Sequence, residues 1–219
     1  MATQTSLAEQ LKDYQNGFLQ KAPKEAVSVM QKATADLELS GIVNNSLKVG
    51  EAAPTFTLPD AVGNEVKLSE LLAQGPVVIN FYRGEWCPYC NIELHAFQQY
   101  LPKFKQANAQ LVAISPSLPT KALTMQEKHD LEFPVLSDVG NKVARDYGLV
   151  FTLAAELQPL YKSFGLDIPE HNGDESYELP VPATYVIDTN GIVRYAYANA
   201  DYTLRAEPAE VLTAVKALL

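Results

Sequence analysis

Phe81-Tyr82-Arg83-Gly84-Glu85-Trp86-Cys87-Pro88-Tyr89-Cys90 is the stretch on which the reading of this chain turns. It follows the apolar run Val77-Val78-Ile79 and opens a helix-periodic segment, so it reads as strand, loop and helix N-terminus. The chain's 2 cysteines both lie in it. A thiol at the first turn of a helix faces unpaired backbone N–H groups at the positive end of the macrodipole, which favours thiolate over thiol. Such placement brings a cysteine pKa from ~8.5 down to roughly 3.5–7.5. Cys87 occupies that position and is expected to be the accessible, low-pKa thiol, with Cys90 one turn further in as its buried partner. The Cys-x-x-Cys spacing lets the second sulfur resolve a mixed disulfide formed on the first.

Blander uses of the two cysteines fit less well. A structural disulfide between neighbours this close would close almost no loop and barely constrain the unfolded chain. Zinc sites take about four ligands, yet there is no second Cys-x-x-Cys, and His95, His129 and His171 are scattered along the sequence. No metal and no cofactor is therefore expected. Inert core cysteines would leave unexplained the Pro88 between them and the Trp86 before them.

At 219 residues, with 47% apolar and 20% charged residues, the chain has the composition of a globular domain with an extension. The net charge of −9, with no basic cluster, disfavours nucleic acid and anionic membranes as partners. The first ten residues lack a basic segment followed by an apolar one, and no apolar run approaches 18 residues. A soluble, cytoplasmic protein is the expectation. In that reducing compartment a dithiol rests reduced, which suits a working pair better than a staple.

Before the cysteine loop, Leu7, Leu11, Tyr14 and Phe18 recur at helical spacing, and Pro23 opens a second helical run ending near Gly41. This helical extension, residues 1–45, either simply packs on the main body or serves in dimerisation or as a lid. A strand at Phe56 and Leu58, a turn at Gly63-Asn64 and a short helix at Leu68–Leu72 precede the loop. After it, Leu94, Phe97, Leu101 and Phe104 share one apolar helix face, which Pro102 is placed to kink. A buried strand at 111–114, a helix at 120–130, a short strand at 133–136 and a helix at 141–147 come next. Residues 151–179 lose periodicity and read as an irregular insertion. Two strands, 181–188 and 192–197, are joined through Asn190-Gly191, and a helix led by Glu207-Pro208 ends the chain. Alternating strands and helices closed by a hairpin and a helix imply an α/β layer structure with a mixed sheet.

Three groups of residues carry a family resemblance. They are Gly50-x-x-Ala53-Pro54-x-Phe56-x-Leu58 with Asp60, Gly63 and Leu68-Ser69; Trp86-Cys87-Pro88-Tyr89-Cys90; and Pro182-Ala183-Thr184-Tyr185-Val186-Ile187-Asp188. From about Lys48 to the C-terminus the chain resembles the peroxiredoxin-like family of the thioredoxin-fold superfamily, relatives of alkyl hydroperoxide reductase and thiol-specific antioxidant. The resemblance implies a thioredoxin-like fold over residues 46–219, a central mixed β-sheet flanked by helices. In that family a Pro-x-x-x-Thr-x-x-Cys motif and a distant Arg hold the peroxide. Here Cys90 falls in the attacking place, Cys87 where the Thr should be, Arg83 where the Pro should be, and Pro182 where the Arg should be. Pro182, after Val181, resembles instead the cis-proline that faces the dithiol in thioredoxins; an edge-strand proline is the plainer reading.

The resemblance implies an antioxidant thiol oxidoreductase acting on a hydroperoxide or a disulfide, with a thioredoxin- or glutaredoxin-type reductant. In one chemistry a thiolate takes a peroxide oxygen and condenses with its neighbour to a disulfide. In the other Cys87 attacks a disulfide and Cys90 releases the product. A non-catalytic redox sensor is the third reading. Arg83 is the one cation expected beside the thiols, Glu93 a candidate proton relay, and Trp86 and Tyr89 candidate walls of the site; His95 reads as structural. With the Thr and Arg replaced, slow peroxide reduction is expected.

Overall fold

The computed structural model describes residues 5–219, so the first four of the ten residues read above for a leader, and the start of the 1–45 extension, lie outside the described residues. Ser6 caps α1 (Leu7–Lys21): its hydroxyl accepts from the Glu9 backbone N–H while the Glu9 carboxylate accepts from Ser6. Leu7 and Leu11 are the buried residues of α1. The same helix start is held from 200 residues away, because the Glu207 carboxylate accepts from the backbone N–H groups of Leu7 (3.2 Å) and Ala8 (2.7 Å). An anion at a helix N-terminus satisfies donors that have no intrahelical partner. After α2 (Lys24–Leu39) and a 3-10 turn, Ile42–Asn45, the chain enters the main body.

There β1 (Thr57–Pro59) and β2 (Glu65–Lys67) form a small antiparallel ladder, followed by α3 (Leu68–Leu72) and the fully buried β3 (Val77–Phe81). Next come α4 (Pro88–Gln106), β4 (Gln110–Ser115), α5 (Pro119–Lys128), β5 (Val135–Ser137) and α6 (Lys142–Asp146). The helix carrying the cysteines runs on through Pro102 to Gln106 and buries Leu94, Phe97, Leu101 and Phe104, the expected apolar face.

The main sheet has the order β5-β4-β3-β8-β9, with β8 at Ala183–Ile187, β9 at Val193–Ala198 and α9 (Pro208–Lys216) after them. The sheet is mixed: β3 is parallel to β4 and antiparallel to β8. Side chains of β3 alternate between two cores, Val78 with the α4 face and Val77, Ile79 and Phe81 with the opposite face. A central strand buried on both faces ends at Phe81, so the loop that follows emerges at the edge of the core.

Residues 151–179 differ from the irregular insertion read from sequence. They form β6 (Val150–Thr152), α7 (Leu157–Ser163), α8 (Ile168–Asn172) and β7 (Glu178–Pro180), with β6 and β7 paired antiparallel. Leu153, Leu157, Tyr161, Ile168 and Leu179 make their own apolar cluster with Ala33 of α2. Elements of three to seven residues are too short to show a period, so the sequence hid them.

The expected cis-proline is also corrected: no cis peptide bond occurs among the described residues, and Val181-Pro182 is trans. Only two residues join β7 to β8, and the Val181 N–H bonds to the Leu149 carbonyl (2.8 Å), so the chain passes straight on in the extended conformation that X-Pro favours.

Candidate thiol site

Cys87 is the N-cap of α4 and Pro88 its first residue, where a missing N–H costs nothing. The approach to that cap is fixed by Gly84, whose φ of 149° and close packing exclude other residues: a Cβ there would sit 2.3 Å from Trp86 Nε1. Trp86 can therefore fold back over the loop.

Arg83 is buried (2% exposed), yet no carboxylate pairs with it. Its guanidinium donates to the Tyr161 hydroxyl (2.8 Å) and lies over the rings of Tyr202 (4.5 Å), Trp86 (4.9 Å) and Tyr161 (5.7 Å). Its Nε has no hydrogen-bond partner. Cation–π contacts offset part of the desolvation of such a charge, but an uncompensated buried cation favours an anion beside it. The ionisable groups next to it are Tyr161, Cys87, Tyr202 and Cys90.

Cys87 is 1% exposed, less open than the sequence reading held; it is reached through a cavity. Burial pushes its pKa up, but a hydrogen bond from Cys90, the charges of Arg83 and Arg205 and the Cys90 backbone N–H outweigh this and lower it to about 6. Cys90, fully buried, moves the other way, because burial and the hydrogen bond it gives to Cys87 both favour its neutral form. The direction expected from the helix start holds. Its physical cause is two arginines and a neighbouring thiol as well as the helix end.

Behind Cys90 lies a buried ion pair that the sequence left half-visible. Glu93 is fully buried; it accepts from Asn80 Nδ2 (2.8 Å) and from Arg205 Nε (2.7 Å). Burial, opposed by Arg205 and aided by charge on Cys90, raises its pKa to about 7. The Arg205 guanidinium also points an N–H at Cys90 Sγ (3.5 Å) and donates to the Tyr202 and Leu204 carbonyls. Arg83 is thus not the one cation at the thiols. Arg205 stands in the loop between β9 and α9, where no periodicity or motif marks it.

The structure brings Arg83, Trp86, Cys87, Cys90 and Glu93 together, while Pro182 lines a cavity on another side of Arg83 whose walls include neither cysteine. Trp86 and Tyr89 line the cavity at Cys87, as expected. Tyr161 and Tyr202 were not foreseen, Tyr161 because it sits in the segment without periodicity. His95 is exposed and shares a hydrogen bond with Gln99 (3.0 Å), whereas His171 of α8 reaches Glu85 in the cysteine loop (2.5 Å). The insertion is tied to the loop by that pair.

The model of the AhpC/TSA family matches residues 49–196. This chain belongs to the AhpC/TSA family. A putative chloroplastic peroxiredoxin Q of Oryza sativa subsp. indica is 35% identical over 158 residues, covering 72% of this chain and 62% of the relative. The chain thus spans about three fifths of that relative's length. The chloroplastic peroxiredoxin Q of Triticum aestivum is 31% identical over 179 residues, 82% of this chain and 72% of its own. Among solved structures, peroxidoxin BcpB from Mycobacterium tuberculosis superposes with a TM-score of 0.63 at 26% identity, covering 79% of this chain and 99% of that one. The fold is the thioredoxin-like one of these AhpC/TSA proteins. The match of the family model begins after the two N-terminal helices, which the AhpC/TSA family does not explain. Among the described residues no helix is long and apolar enough to cross a membrane.

Proposed function

We propose that this AhpC/TSA protein is a thiol-dependent peroxidase in which Cys87 attacks the hydroperoxide and Cys90 resolves. The observation that supports it most is the split between the two thiols: Cys87 is held near pKa 6 on a cavity wall beside Arg83, and Cys90 is held protonated behind it. The Cys87 thiolate forms an S–O bond with the distal peroxide oxygen as the O–O bond breaks. The departing alkoxide takes a proton and leaves as an alcohol, or as water from hydrogen peroxide. Cys90 then attacks the Cys87 sulfenic acid, forming the disulfide and releasing water. A thioredoxin- or glutaredoxin-type dithiol returns both thiols to the reduced state, which suits a reducing compartment such as the cytoplasm.

Arg83 and Arg205 supply positive charge for the thiolate and for the oxygen on which negative charge develops. They take over the duty of the family's missing Thr and Arg. Glu93 shares the Arg205 guanidinium with Cys90 and ionises near neutral pH, which suits it to take the proton Cys90 loses on resolving. Disulfide exchange needs the same order of thiols, but the 1% exposure of Cys87 suits a small peroxide better than a protein disulfide.

Consumption of hydrogen peroxide and of cumene hydroperoxide by the purified protein with a dithiol donor tests the reading. Turnover with either, a loss of two hydrogens in the mass of the oxidised chain, and silence in Cys87→Ser are expected. Undiminished turnover in Cys87→Ser would overturn the assignment.

A further inference from the structure

The cavity at Cys87 is closed on one side by residues that lie outside the AhpC/TSA match. Tyr14 and Phe18 of α1 and Met30 of α2 line it, opposite Trp86, Tyr161 and Phe164. Its volume is about 260 Å³. An apolar cavity of about 150 Å³ is already enough to hold benzene. The walls are dominated by rings: Tyr14 meets Tyr89 edge to face (5.1 Å), and Trp86 meets Tyr161 likewise (5.9 Å). Hydrogen peroxide needs none of this surface, since a two-oxygen molecule has no apolar part to bury.

Two further observations bear on what enters. The mouth carries apolar rings in contact with solvent, Tyr14 at 36% and Phe164 at 40% exposure, where a small polar substrate would gain nothing from them. The polar and charged residues of the lining are few: Arg83 and Cys87 at the thiol end, and Tyr14, Tyr89, Tyr161 and Tyr202. Small-molecule sites have this form, an apolar chamber with a few polar groups that fix the orientation of one end of the ligand.

We infer that α1 and α2 are a selectivity wall, with Phe18 and Met30 as specificity-determining residues that favour organic hydroperoxides bearing a ring-sized apolar group over hydrogen peroxide. The inference rests on the peroxidase reading of Cys87. The apolar group lies among Phe18, Met30 and the ring of Tyr161, and the peroxide end meets the thiolate and Arg83. Neither helix supplies a reacting group. Their contribution is differential binding, in which one added or removed patch of apolar contact changes discrimination by about tenfold or more.

The test uses the full chain and two substrates, cumene hydroperoxide and hydrogen peroxide, with Phe18→Ala and Met30→Gln as variants on two separate helices. Both positions are half-buried, so each change spares the fully packed core. Met30→Gln keeps the length of the side chain but adds an amide that an apolar ligand would leave unpaired. The expected result is a wild-type preference for cumene hydroperoxide in kcat/KM that falls about tenfold in each variant. Trp86 is the chain's single tryptophan and lines the cavity, so its fluorescence gives a readout independent of turnover. The alcohol formed from cumene hydroperoxide should perturb that emission saturably in wild type and about tenfold more weakly in the variants. An unchanged preference and unchanged alcohol binding in the folded variants would overturn the wall. Absence of peroxide consumption by the wild type with both substrates would overturn the peroxidase reading instead, and alcohol binding would still judge the cavity.

Discussion

Cys87 and Cys90 stand three residues apart on one helix start, yet their surroundings are opposite. Cys87 faces a ring-lined cavity and an arginine with no carboxylate; Cys90 faces an arginine already paired with Glu93. One region has a spare positive charge and room for a ligand. The other is neutralised and closed. The contrast teaches that the Cys-x-x-Cys pair is polarised first by the hydrogen bond its spacing lets Cys90 give to Cys87, and next by the charge of Arg83, which has no carboxylate partner. It favours ionisation of the residue with access to the cavity, although by resemblance the other cysteine holds the place of the family's attacking thiol.

Removing Cys87 tests that polarity most severely. Cys87→Ser should abolish peroxide consumption, whereas Cys90→Ser should still consume one equivalent and then stop, as followed by stopped-flow and by the mass of a sulfenic acid. Equal single-turnover rates in the two variants would erase the contrast.

Arg83→Met removes the spare charge. If Arg83 stabilises the developing oxyanion, the second-order rate with peroxide should fall by ~10²–10³, the usual effect of losing one aimed donor. A change within twofold would move that duty to Arg205.

Breaking the closed side should show in stability. Glu93 and Arg205 side chains are each 1% exposed, so Arg205→Met leaves a buried carboxylate without its cation. A loss of up to about 3–5 kcal/mol is expected from denaturant unfolding above pH 7, where Glu93 is ionised in the wild type. The sign with pH follows from Glu93, whose folded pKa is raised from 4.5 to about 7. The folded state then binds more protons than the unfolded one between those values, so this group's contribution is fully present below 4.5 and is lost as pH rises through about 7. Glu93→Gln should flatten that slope.

The smallest expected effect concerns titration. Alkylation of Cys87 should rise with a midpoint near pH 6, and Cys90→Ala should move the midpoint upward by removing a hydrogen bond to the thiolate. A midpoint near the ordinary thiol value in wild type would undo the assigned polarity.

By itself the sequence determined the frame that carries the two candidate thiols. The apolar run into Phe81, Pro88 behind Cys87 and the period of Leu94, Phe97, Leu101 and Phe104 are local signals, and local signals set strands, caps and helix faces. Arg83, Trp86, Cys87, Cys90 and Glu93 were legible because they lie within eleven consecutive residues. Tertiary structure alone decided the rest. Arg205 reaches Glu93 across 112 residues and Cys90 across 115, Tyr161 meets Arg83 across 78, and α1 closes the cavity from the far end of the chain. It also decided that Pro182, in the junction between two strands, is trans. Charge compensation and cavity walls depend on distance in space, and nothing in the order of residues encodes a partner that only packing brings near.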